Sequence, residues 1–196
     1  MAGTGHSKKE ITHDLIVKMA SRALRKRGAS GIGVAEIMQE AGLTHGGFYA
    51  HFKSKNTLVA EAADRAAGES LDGLRKTLRE RPDNQDPLRT LLQAYLSERH
   101  LNTPERGCML ASLGSDLQRE SAEVRRVSTE RIKELIDMIQ RQLPASGNAA
   151  DKQRAMATLA GMVGAMIVAR AVDEPDLAMA MMSATIESLA SATSQT

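Results

Sequence analysis

The sequence predicts an all-α chain in which a short N-terminal unit of three helices, arranged as a helix-turn-helix, precedes a larger helical body. Three observations carry this. Apolar residues recur at one-, three- and four-residue steps through most of the 196 residues, which is the period of a helix with one buried face. No run of alternating β-branched residues is present, and Gly- or Pro-bearing breaks divide the periodic stretches into helical lengths. At 42% hydrophobic and 26% charged residues, the composition is that of a globular chain that can build a core.

The first ten residues, small, polar and basic, read as a disordered arm. From Thr12, Leu15, Ile16, Met19, Ala20, Ala23 and Leu24 form an apolar stripe, with Lys18, Arg22, Arg25 and Lys26 on the other face, and Gly28 stops the helix after Arg27. Val34 to Ala41 is a short second helix with Val34, Ile37 and Met38 inward, ended by Gly42. Thr44 is placed as the N-cap of a third helix of about two turns reaching Phe52, and Ser54 caps a fourth running from Lys55 towards Arg81. Beyond Pro82, helices are expected over Pro87–Leu101, Met109–Gln118, Ala122–Leu143, Ala149–Val172 and Asp176–Ala192, with a fraying tail from Ser191.

Charge is unevenly spread. Residues 1–60 hold nine Lys and Arg against four Asp and Glu, whereas the rest holds 17 against 20, so a polyanion is the expected partner of the N-terminal end. Three of the four aromatic residues, Phe48, Tyr49 and Phe52, fall within five positions there. Gly46 and Gly47 together cost about 2 kcal/mol relative to alanine in a helix interior, so something must compensate. On a helical projection Phe48 and Phe52 share one face and bury against the first two helices, while Gly46, Gly47 and Ala50 leave the opposite face nearly bare. A bare face can enter a major groove and bring backbone near phosphates, with His45, Tyr49 and His51 as flanking donors.

The stretch Gly42-Leu43-Thr44-His45-Gly46-Gly47-Phe48-Tyr49-Ala50-His51-Phe52-Lys53-Ser54-Lys55, with Leu58 after it, resembles the signature of the tetracycline-repressor-like (TetR) transcriptional regulators over about residues 12–60. The resemblance implies an all-helical homodimer with a DNA-binding domain at 1–60 and a ligand-binding and dimerisation domain at 61–196. It implies that Thr44, Tyr49 and Lys55 hold phosphates and that His45, Gly46, Gly47 and His51 face the groove of a palindromic operator. Two positions depart from the family pattern. Gly33 stands where Ser or Thr usually caps the second helix, leaving backbone N–H groups to serve, and His45 stands where Lys or Arg is frequent.

In the body, Ala157, Gly161, Ala165 and Ala169 recur every four residues and, with Leu177, Met181 and Ala184, are placed in a four-helix dimer interface; ordinary packing within one chain is the alternative. Eight methionines and one aromatic residue, Tyr95, lie beyond residue 60. They suggest an adaptable cavity for an apolar or amphipathic inducer near Cys108, Met109, Leu113, Met138, Met162 and Met166. Cys108 beside Arg106 at an expected helix start offers a rival, thiol-based trigger for oxidants or electrophiles. A nonspecific architectural DNA-binding protein without inducer is the other competing class.

No catalytic motif, phosphate loop or cofactor motif appears. The histidines are spaced against sharing a metal, since His45 and His51 lie far apart around a helix and His6 falls in the arm. The uncharged run Ala155 to Ala169 is fifteen residues long, short of the ~20 needed to span a bilayer, so it is read as a buried helix with no membrane partner. With no apolar stretch after the first lysines and a single cysteine, a cytoplasmic location is expected.

Overall fold

A computed structural model describes residues 7–29, 31–144 and 149–191, and those residues hold nine α-helices and no strand. The N-terminal unit consists of α1 (Lys8–Arg27), α2 (Val34–Glu40) and a 3-10 segment, His45–Ala50. The long α3 (Lys55–Glu80) leads into α4 (Pro87–Tyr95), α5 (Glu98–Asn102), α6 (Met109–Leu113), α7 (Ala122–Gln140), α8 (Ala149–Ala171) and α9 (Pro175–Ser191). Residues 1–6, where most of the expected arm and His6 fall, and 192–196, where the expected fraying falls, lie outside the described residues.

Several helix ends differ from expectation. The first helix begins at Lys8 because Ser7 and Glu10 form a capping box: Ser7 Oγ accepts from the Glu10 N–H at 3.2 Å and Glu10 Oε2 accepts from the Ser7 N–H at 2.7 Å. The expected helix Pro87–Leu101 breaks at Leu96, and Ser97 caps a separate α5 by accepting from the His100 N–H. The expected helix Met109–Gln118 is α-helical only to Leu113, with a 3-10 turn at Leu117–Arg119. Gly28 and Gly42 end their helices at φ 76° and 73°, backbone that glycine adopts without strain.

Two apolar clusters organise the chain. The first gathers Ile16, Ala20 and Leu24 of α1, Ile37 and Met38 of α2, Phe48, Phe52, and α3 from Leu58 to Ala67. Met109, Leu113 and Val124 of the body join it. The second contains Leu71 and Leu74 of α3, Leu88 to Leu96, Met138, Ile139, Met162, Met166, Ala169 and Met182. Residue 60 lies inside α3, and α3 serves both clusters, so no linker marks that position.

Candidate nucleic-acid interface

The segment His45–Ala50 is a 3-10 turn rather than two turns of α-helix. Its purchase on the core is as expected: Phe48 and Phe52 are buried and stacked with ring centroids 5.4 Å apart, and His13 of α1 stacks on Phe52 at 4.4 Å. Burial of the two phenylalanines stabilises the segment by about 1.5–3 kcal/mol each, enough to offset the glycine pair. Leu43 packs against the same cluster, and its N–H donates to the Met38 carbonyl at 2.8 Å, closing the turn after α2.

The surface left over is polar and open. Tyr49 is 73% exposed, held edge-on against Phe48. Thr44 begins the segment, but its side chain makes no capping bond, so the exposed hydroxyl is available to a ligand. His45, Gly46 and Ala50 are exposed, and a side chain at Gly46 would meet nothing within 4 Å. Lys53 and Lys55 are exposed, as are Lys8, Lys9, Arg22 and Lys26 of α1, and none of these six has a carboxylate partner among the described residues. Exposed cations without carboxylate partners on α1 and just after an exposed, uncharged turn are what a phosphate-backbone contact requires.

Three expected roles change. His51 does not face outward: it is half-buried with Nδ1 sealed from solvent, its ring 6.1 Å from that of His13. Burial, with His13 and Lys9 nearby, lowers its pKa. Gly47 is only half bare, because a Cβ there would lie 3.6 Å from the Met38 methyl group. Glu36 Oε2 would lie 3.6 Å from a Cβ at Gly33, and the Glu36 carboxylate pairs with Arg27, so a carboxylate already stands at the start of α2 where a phosphate was expected.

Arg25, read as a surface cation, is 3% exposed. It donates to Ser21 Oγ at 3.0 Å, to the Ala66 carbonyl at 3.3 Å and to Glu69 Oε2 at 2.7 Å. Its guanidinium is thus the polar bolt between α1 and α3. Burial pushes the Glu69 carboxyl upwards in pKa, but Arg25 and Arg65 together hold it below the usual value.

Of the residues expected to line an inducer cavity, Met109, Leu113, Met138, Met162 and Met166 are all buried in the core; Met109 and Cys108 border a narrow apolar cleft against α3 and α7, and Leu113 another against α1 and α3. Cys108 also borders a larger cavity. That cavity, about 240 Å³, lies between α3, α4 and the segment from Ser97 to Cys108. There His100 is fixed as a neutral ring, with Nδ1 2.7 Å from the Tyr95 carbonyl and Nε2 accepting the Cys108 N–H at 2.9 Å. Burial lowers its pKa to about 4.

The expected dimer stripe is also divided. Ala165 and Ala169 are buried within the chain, and a Cβ at Gly161 would meet Leu189 of α9 at 3.4 Å. This side of α8 therefore packs on α9 and the core of its own chain. The uncovered apolar face carries Met156, Ala157, Ile167 and Val168 of α8 and Leu177 and Ala184 of α9, with Met181 half-buried beside them. By length and composition Ala150–Ala171 is apolar enough to cross a membrane, which the fifteen-residue count did not anticipate; its other face is core.

Residues 16–62 match the family described as bacterial regulatory proteins, tetR family. An uncharacterised HTH-type transcriptional regulator, YerO of Bacillus subtilis, is 35% identical over 60 residues, which is 31% of this chain and 21% of that protein. The HTH-type transcriptional regulator TtgR of Pseudomonas putida is 36% identical over 88 residues, 43% of this chain and 41% of that one. The matched stretches thus span well under two thirds of these relatives' lengths. Among solved structures, a TetR transcriptional regulator from Chloroflexus aurantiacus superposes with TM-score 0.80 at 22% identity, covering 96% of each chain. The reduced form of E. coli NemR superposes at 0.73 and 18% identity, over 91% of this chain and 95% of that one. The tetR-family signature thus covers residues 16–62, and the fold along the rest of the chain is the one seen in solved TetR-family structures.

Proposed function

We propose that this chain is a sequence-specific, dimeric DNA-binding repressor working in the cytoplasm, released from a palindromic operator when a small molecule occupies the cavity beside α3. The observation that carries the reading is the turn His45–Ala50: anchored by two buried phenylalanines, it exposes Thr44, His45, Gly46 and Tyr49 within a field of unpaired lysines. Thr44, Tyr49 and Lys55 hold phosphates, while His45 and Gly46 approach base edges; Gly47 and His51 act by positioning the turn. The uncovered apolar face of α8 and α9 supports dimerisation through a second copy, since a two-fold regulator reads two half-sites.

Selection of bound duplexes from a random pool tests this reading. A specific repressor enriches an inverted repeat and prefers it at least ~10³-fold over random duplex. An architectural protein enriches no motif, and that result would overturn the proposal. Release by thiol modification is the competing trigger. It requires a reagent to reach Cys108, which is 5% exposed.

A further inference from the structure

The cavity between α3, α4 and Ser97–Cys108 has a chemistry that the apolar-inducer expectation does not describe. Arg99 and Arg106 border it, both exposed and without a carboxylate partner among the described residues. Glu69, the acidic group in its wall, is neutralised by Arg25 at 2.7 Å and Arg65 at 2.9 Å. His100 is neutral, because its ring is buried and its Nε2 accepts the Cys108 N–H. In the buried wall, Tyr95 Oη has no partner at full hydrogen-bond geometry; the Cys108 thiol is its weak hydrogen-bonding neighbour and the Arg170 guanidinium lies near. A buried hydroxyl so weakly paired is stabilised by a ligand atom that bonds to it. The floor is apolar, with Leu74 and Ala94.

We propose that this cavity binds a small monocarboxylic acid, its carboxylate on Arg99 and Arg106, its body on Leu74 and Ala94 and a polar edge on Tyr95, and that Glu69 and Arg25 pass occupancy to α1. The proposal rests on the reading of the chain as a ligand-released repressor and names the ligand class and its route. At ~30 Å³ per water-sized volume, 240 Å³ holds about eight non-hydrogen atoms, the size of a small carboxylic acid. The relay follows from position. Glu69 is at once a wall of the cavity and the ion-pair partner of the buried Arg25, and the wall segment Pro104–Arg106 packs directly on α1. A second carboxylate brought beside Glu69 changes the field at the bolt that fixes α1 to α3, so a ligand here distinguishes between arrangements of α1.

The test uses the full chain with hexanoate, benzoate and phenylacetate, each beside its primary amide, titrated by calorimetry at fixed ionic strength. At least one carboxylate should bind about tenfold or more tighter than its amide, and the Arg99→Ala/Arg106→Ala variant should abolish that difference. Equal binding of every acid and amide, or discrimination that survives in the double variant, overturns the ligand class. Anisotropy with a selected duplex reads the relay. Arg25→Gln should still bind the carboxylate more tightly than its amide, through Arg99 and Arg106, but lose most of the ligand-induced fall in DNA affinity at saturating ligand, with Arg25→Lys restoring part of it. Release undiminished in folded Arg25→Gln overturns the relay, and if that variant does not fold, full wild-type release in Arg25→Lys and Glu69→Gln alike overturns it. Failure of the wild type to bind any duplex refutes the repressor reading while leaving the calorimetric result intact.

Discussion

Phe48 and Phe52 hold a segment whose two glycines disfavour helix, and the same pair frees Tyr49 to stand 73% exposed. Because Tyr49 and Lys55 are proposed phosphate contacts, Tyr49→Phe and Lys55→Ala should weaken binding similarly on all duplexes. The lysine change should also lower the slope of log K against log salt by about one counterion; titrations at several salt concentrations read both effects. His100 predicts a pH effect of definite sign. Its folded pKa of about 4 lies below the ordinary 6.5, so between those values the unfolded chain binds a proton that the folded chain does not. Stability is therefore lost as pH falls through this window, by about 2–3 kcal/mol at pH 4.5. Denaturant melts at pH 7 and 4.5 should show that loss in the wild type, and His100→Gln, which keeps a donor and an acceptor, should lose less. The phenylalanine anchor was legible in the sequence because it is local. The burial of Arg25 was not, because its partners Ala66 and Glu69 are 41 and 44 residues away, and helical spacing alone cannot tell a surface cation from one sealed under a second helix.

Helix ends show the same divide between local and distant causes. Ser7 and Glu10 stand at capping-box spacing, so the start of α1 was readable from residues that composition alone assigns to a disordered arm; Ser7→Ala should cost about 1 kcal/mol. The break at Leu96 was less visible, since Ser97 is an ordinary residue until His100 turns in to accept from the Cys108 N–H. In α8 the small-residue stripe is plain in the sequence, but the helix it meets is set by the tertiary packing on Leu189 of α9. Gly161→Leu should drive a side chain into Leu189 within the same chain and destabilise it by about 1–3 kcal/mol, lowering Tm by roughly 2–4 °C per kcal/mol. Ile167→Glu, on the uncovered face, should leave Tm of the isolated chain nearly unchanged while shifting a dimer to monomer in sedimentation. A wild type that sediments as monomer at micromolar concentration while binding an inverted repeat tightly would contradict this assignment of the face.

Across the whole molecule, α3 couples the two apolar clusters, and Met109, Leu113 and Val124 carry the body into the core of the helix-turn-helix unit. Packed side chains and the Arg25–Glu69 pair therefore join the body to the unit that carries the turn at His45–Ala50, the route along which the proposed signal would pass. In the function proposed, the turn beginning at His45 reads base edges once in each half of a two-fold site. Its most direct test is parallel selection of bound duplexes with the wild type and His45→Arg. Both should enrich an inverted repeat, and the variant should gain guanine at one position, mirrored in the two half-sites, because arginine pairs with guanine through two hydrogen bonds in the major groove. An identical motif from both proteins, or no enriched motif from either, would contradict it.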